Sequence, residues 1–254
     1  MVSTAQLAAM IAVIIGSMII IALPFILYRQ NLTGVLKIYF AGAMIFFIGD
    51  SLLRFSAINL INFNQPMLTL MARALVSVAI AILFRVFVLK GVLDKQRQSD
   101  PVNTGVILGL GQAGMEAVIV AFRFIGHFQI SRAINDGSIH DLVSENVTAA
   151  QIDEAIAVLT QSSILDIVGS LIILAFYIII HIGFALMIIE ALKTNDRKMF
   201  MLISVIYLAL VLSEMILVSN EMSMILRILM VGAFVLIHGY YIRTRLKERR
   251  NVRV

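Results

Sequence analysis

Seven separate stretches of this chain stay apolar for about 20 residues or more, the length a helix needs to cross a hydrocarbon layer of about 30 Å. They fall at about 4–28, 36–62, 67–91, 103–131, 162–192, 199–218 and 223–242. The fold expected is therefore all-α: a polytopic membrane bundle of seven transmembrane helices forming a single domain over 1–254. A charged content of 14% and a mean hydropathy of +0.99 exclude an ordinary soluble domain. The first run lacks a basic leading segment and a small-residue cleavage site, so it is expected to be retained as a span rather than removed as a signal peptide.

The basic residues set the expected orientation, because cytoplasmic loops retain Lys and Arg. Arg29 and Lys37 flank the first connection, Lys90, Lys95 and Arg97 the third, and Lys193, Arg197 and Lys198 the fifth. The tail at 243–254 adds Arg243, Arg245, Lys247, Arg249, Arg250 and Arg253. The even-numbered connections are nearly free of positive charge, and 132–161 sets Arg132 against Asp136, Asp141, Glu145, Asp153 and Glu154. An outer N-terminus and a cytoplasmic C-terminus follow. The net charge of +5 is then a topology signal concentrated at one membrane face, and it calls for no nucleic-acid partner. The basic tail reads as a stop-transfer signal that can also meet anionic headgroups. Within the acidic outer loop, SENVTAAQIDEAIAVLTQS places Ile152, Ile156 and Leu159 on one side of an Ala-rich run behind Ser and Thr caps. That predicts an amphipathic helix on the outer surface. The absence of cysteine excludes disulfides, thiolate metal sites and cysteine nucleophiles together.

One span carries an unusual polar load. GLGQAGMEAVIVAFRFIGH, at 109–127, contains Gln112, Glu116, Arg123 and His127, which fall within about 60° of one another at ~100° per residue. Gly105 and Gly109 continue the same sector, where a neighbouring backbone can approach closely. Candidate partners are Asp50 and Arg54, four residues apart, Arg85 near an inner end, Asp166 and His181 on one face, and Glu214 in the sixth span. Counting ~1.5 Å per residue from the cytoplasmic ends, Asp50 lies about 21 Å deep, Glu116 about 20 Å and His181 about 17 Å. An unpaired Asp at that depth costs ~2.5–3.5 kcal/mol on insertion scales, so a mutual cluster is expected, with Glu116 and His181 in direct or water-bridged contact. Such groups also serve as plain polar staples between helices, at ~0.6 kcal/mol each. The third span is apolar on all sides and is expected to line the bundle core rather than lipid, with Arg73 and Arg85 each needing either an interface to snorkel toward or a carboxylate partner.

The segment GLGQAGMEAVIV resembles the GLGHGGxEA stretch of the YhfC-type membrane proteins, relatives of the CAAX-processing and PrsW-like glutamic-type intramembrane proteases. FFIGDSLLRF at 46–55, RVFVLKGVL at 85–93 and HIGFALMIIEAL at 181–192 extend the resemblance over most of the membrane core. The resemblance implies a water-activating Glu-Glu pair with a nearby Arg on the third core helix and histidines on later helices. Carried onto this chain, it assigns Glu116, His181 and Arg85. Two departures matter: 67–91 contains no acidic residue, and Gln112 stands where the motif has His. An amide cannot take a proton near neutral pH as imidazole does. Losing a general base forfeits ~10²–10⁴ in rate.

The function expected is a catalytically degenerate, protease-like scaffold in the plasma membrane of a prokaryote. It would bind another transmembrane protein, a substrate helix or a second copy of itself. Its cavity or partner-binding residues would be Asp50, Arg54, Arg85, Gln112, Arg123, His127 and Asp166. No cofactor and no metal site are expected. The first alternative is an active intramembrane protease using Glu116 and His181, the only setting in which a divalent metal is considered. The second is a carrier or receptor for a small polar ligand.

Overall fold

The computed structural model describes residues 1–29, 32–95, 100–142, 148–220 and 222–252. Arg97, Glu145 and Arg253, used above in the charge argument, lie outside the described residues. Every regular element among the described residues is helical, and seven helical spans are long and apolar enough to cross a membrane. The chain reads as a multi-pass membrane protein.

The helix ends follow local chemistry. In α1 (Thr4–Leu27), Ser3 and Gln6 form a reciprocal cap. Asp100 accepts from the amide of Val102 at 3.0 Å to start α5 (Pro101–Asp136), which opens on Pro101 and stops at Gly137 with φ 76. Thr148 and Gln151 cap α6 (Ala149–Gln161), and Ser163 and Asp166 cap α7 (Ile164–Thr194). Asp196 caps α8 (Arg197–Ser219). The remaining helices are α2 (Leu32–Met44), α3 (Arg54–Asn59), α4 (Pro66–Lys95) and α9 (Met224–Val252).

The second span departs from the single helix that its apolar run predicts. Between α2 and α3, residues Ile45–Leu53 wind as a π-helix, whose wider turns shift the helical register just where Asp50 sits. Gly49 lies there against the ring of Phe84 on α4, a contact that leaves no room for a Cβ.

Helix α5 is the centre of the bundle. In its most apolar stretch 67% of residues are buried, against 28% in α4 and α8 and 11% in α9. Its glycines explain why. Gly111 lies on the carbonyl of Tyr39, and Gly42 of α2 lies on the carbonyl of Leu108, so α2 and α5 cross with backbones in contact. On the adjoining side, a Cβ at Gly109 would meet the Ile182 Cα of α7 at 2.5 Å, and one at Gly105 would meet Leu186. The close approach anticipated for Gly105 and Gly109 is therefore made by α7. Helix α1 packs on both α5 and α7, while α8 packs against α4 and α7, and α9 against α7.

Helix α4 corrects the expectation of a central third span. Ala74, Ser77, Ala81, Arg85 and Leu89 face inward, but Leu75, Leu83 and Phe87 are 54%, 68% and 76% exposed. Lipid is as apolar as a helix bundle, so all-round hydrophobicity does not mark a central helix. The small residues mark the packed face.

The amphipathic helix forms as α6, with Ile152 and Leu159 buried. Leu159 joins Met10, Val13, Phe124 and Ile167 in an apolar cluster, and Gln6 donates to the carbonyl of Ser162 at 2.6 Å. Asn135 bonds both backbone groups of Val2 at 2.8 Å. This end of the bundle, with the N-terminus and the α3–α4 and α8–α9 turns, is called the α6 face below. The opposite end, carrying Lys90, Lys193, Arg197, Lys198 and Arg243, is the basic face.

Candidate functional site

Near mid-span, two polar groups of side chains meet back to back. The first is built on one buried ion pair. Arg85 of α4, 2% exposed, donates Nη2–H to Asp50 Oδ2 at 2.7 Å and Nη1–H to Asp50 Oδ1 at 3.2 Å, a two-pronged ion pair. Its Nε–H goes to Gln112 Oε1 at 3.1 Å and its Nη1–H also reaches the Ala81 carbonyl at 3.2 Å. Tyr207 of α8 donates to Asp50 Oδ1 at 3.2 Å and lays its ring 5.2 Å from the guanidinium carbon. Four elements are tied by one arginine. The π-helix matters here: Asp50 pairs with Arg85, 35 residues away, rather than with Arg54, four residues along its own chain.

The second group faces a cavity of about 550 Å³. His181 of α7 places Nε2 3.0 Å from Oε2 of Glu116 on α5, with side-chain exposures of 6% and 20%. The contact that depth-matching predicts is present and direct. His181 is held by rings on two sides, Phe46 edge-on at 5.7 Å and Tyr177 at 5.7 Å. Across the cavity Tyr177 donates its hydroxyl to Glu214 of α8. Arg54 and Arg123 also line the cavity. Arg54 makes no ion pair at bonding distance among the described residues.

The π-helix and α3 supply one wall, which includes Asp50 and Arg54, and each of the other three walls is a helical stripe. Glu116, Ile119, Val120 and Arg123 come from α5, Tyr177, Ile180, His181 and Phe184 from α7, and Tyr207, Leu210, Val211 and Glu214 from α8. All three sets follow the i, i+3, i+4, i+7 spacing of one helix face. Tyr177 and Tyr207 are the residues that the sequence reading missed, although this spacing, counted backward from Glu214 and outward from His181, points to both. The second carboxylate, Glu214, enters from the sixth span although the third span has none.

Other candidates lie elsewhere. Gln112 is fully buried behind the cavity wall, held by Arg85, with its Nε2 left without a partner. Arg85 is likewise sealed behind Asp50 and Tyr207. His127 is half-buried and stacks edge-on to Phe124 at 5.4 Å, outside the cavity lining. Asp166 sits at the α6 face, where its carboxylate accepts from the Ser163 amide at 2.9 Å. It shares a helix with His181 but not a site, because the N3 carboxylate of a capping box is satisfied by the helix terminus itself.

The cavity offers a carboxylate–imidazole pair able to pass one proton, the Glu214 carboxylate and two arginines, with Asp50 also in its wall but bound to Arg85; His181 Nδ1 is buried without a partner. Among the described residues, no three His, Asp or Glu side chains converge closely enough to hold a metal ion. No protein-family model, no curated protein and no solved structure matches the chain.

Proposed function

We propose that this protein is a protease-like membrane scaffold without efficient catalysis, whose mid-span cavity grips a polar group of another membrane-embedded segment. The N-terminus and α6 face lie outside and the basic face lies in the cytoplasm of a prokaryotic cell, as the distribution of Lys and Arg supports. The partner is a transmembrane helix of another protein or of a second copy of this chain. One observation carries the reading: of the residues that the family resemblance singles out, Arg85 and Gln112 are consumed in a sealed network with Asp50, while Glu116 and His181 face open space. The sealed half fixes the scaffold. The open half can form new hydrogen bonds, which in a dry interior are directional and specific.

Photocrosslinkers at Ile119 and Val211, inside the cavity, and at Phe87, on the lipid face, test the reading in native membranes. Adducts with a discrete membrane protein from the cavity positions, and none from Phe87, are expected. Equal labelling from all three positions would refute it.

A second reading has its own support. Glu116 and Glu214 share one cavity with His181, so a carboxylate base and a second carboxylate are both present despite the missing pair on α4. In that case Glu116 would take a proton from an attacking water. Membrane proteomes of cells carrying wild type and Glu116→Gln would then differ by an accumulating uncut protein in the variant. Indistinguishable proteomes would exclude this reading.

A further inference from the structure

Arginine is disfavoured in the membrane half that lies away from the basic face, yet Arg54, Arg73 and Arg227 line one cavity of about 850 Å³ there, between α3, α4, α8 and α9. Arg227 lies in the first turn of α9, Arg73 two turns into α4, and Arg54 at the start of α3, the end of that helix nearer mid-span. Only Glu214 among the lining residues is acidic, and its carboxylate already accepts from Tyr177. Arg73 spends its Nε–H on the carbonyl of Ile61 at 3.0 Å, which aims the fork without neutralising it. The remaining wall is apolar: Met67, Leu70, Met215 and Val218, with Asn62 and Ser219 at the membrane-surface end. A net-positive cavity with an apolar flank and a polar rim matches a molecule that is anionic at one end and hydrocarbon at the other.

We infer that this vestibule is a binding site for a phosphate-headed lipid of the leaflet at the α6 face, with the headgroup held by Arg227 and Arg73 and a chain laid against α4 and α8. Guanidinium forks suit phosphate because two parallel N–H donors meet two oxygens, and they stay charged where lysine would lose its proton. The anion offsets the cost of keeping three arginines within the span region. The site shares Arg54, Ile58, Val211 and Glu214 with the mid-span cavity, but its argument stands without any assignment of that cavity.

The test uses the full chain in neutral detergent, with native mass spectrometry reading retained lipid after addition of phosphatidylglycerol, phosphatidylcholine or inorganic phosphate. Wild type should retain one phosphatidylglycerol in preference to phosphatidylcholine. Arg73→Gln with Arg227→Gln should lower that occupancy by about tenfold or more. Arg227→Gln alone, at a half-buried first-turn position with little folding role, should lower it by a smaller factor. Arg243→Gln with Lys247→Gln, at the basic face, should change nothing. Equal retention of the two lipids, unchanged retention in the Arg73 and Arg227 variants, or loss only in the basic-face variant would each overturn the site. Displacement of the lipid by millimolar phosphate would assign the pocket to a small anion instead.

Discussion

The sealed network around Arg85 and the open cavity around Glu116 use the same kinds of residue at the same depth, yet they differ in how completely each group is satisfied. Arg85 donates two hydrogen bonds to Asp50, and Gln112, Tyr207 and the Ala81 carbonyl take up much of what remains. Glu116 and His181 have one contact between them and line open space, while each side leaves one buried nitrogen unpartnered, Gln112 Nε2 and His181 Nδ1. A buried charge whose hydrogen bonds are made within the protein acts as a structural tie, whereas a carboxylate with one partner beside open space is available to a ligand. The contrast divides a polar core into a part that holds helices together and a part that can bind.

The largest effect should come from opening the closed side. Arg85→Met strands Asp50 in the core and should destabilise the fold by about 3–5 kcal/mol, read by unfolding in SDS with helical circular dichroism. Combining Asp50→Asn with Arg85→Met should return a large part of that loss, since no unpaired charge remains. A double variant no better than the single one would show that packing, not charge pairing, gives the network its weight.

Next in size is the frame that brings the two sides together. Gly111→Ala drives a methyl onto the carbonyl of Tyr39 and should cost about 1–3 kcal/mol in the same assay. Gly91→Ala, where a Cβ has open space, should be neutral or stabilising by up to about 1 kcal/mol. Equal responses at the two glycines would break the claim that α2 and α5 need backbone contact.

The open side should respond least in stability. His181→Gln keeps a hydrogen-bonding amide near Glu116 and should shift unfolding by about 1 kcal/mol or less, while removing the cavity's crosslinked partner. A loss as large as that of Arg85→Met would mean that the cavity is as structural as the network. Smallest of all, Phe87→Leu on the lipid face should stay within about 0.5 kcal/mol of wild type.

Much of the fold was legible in the chain because span length and apolarity are local properties. The seven spans and the amphipathic α6 with its Thr148 cap depend on residues at most a few turns apart. So does the polar stripe of α5, and matching depths on two adjacent spans was enough to bring Glu116 and His181 together. Orientation in the membrane rests on charge alone, since helix packing is indifferent to which side is cytoplasmic.

What the sequence could not decide is which partner each polar group takes. In a regular helix Asp50 and Arg54 are neighbours, but the π-helix and the crossing of α4 hand Asp50 to Arg85 and leave Arg54 facing two cavities. Asp166 and His181 share a helix face by spacing, yet an N-cap holds one and a packed interior the other. Glu214 enters the site only because α8 packs across α4 and α7. A partner is chosen by distance in three dimensions, and distance is set by how closely glycine-faced helices approach. That is a property of pairs of segments which no single stretch of sequence contains.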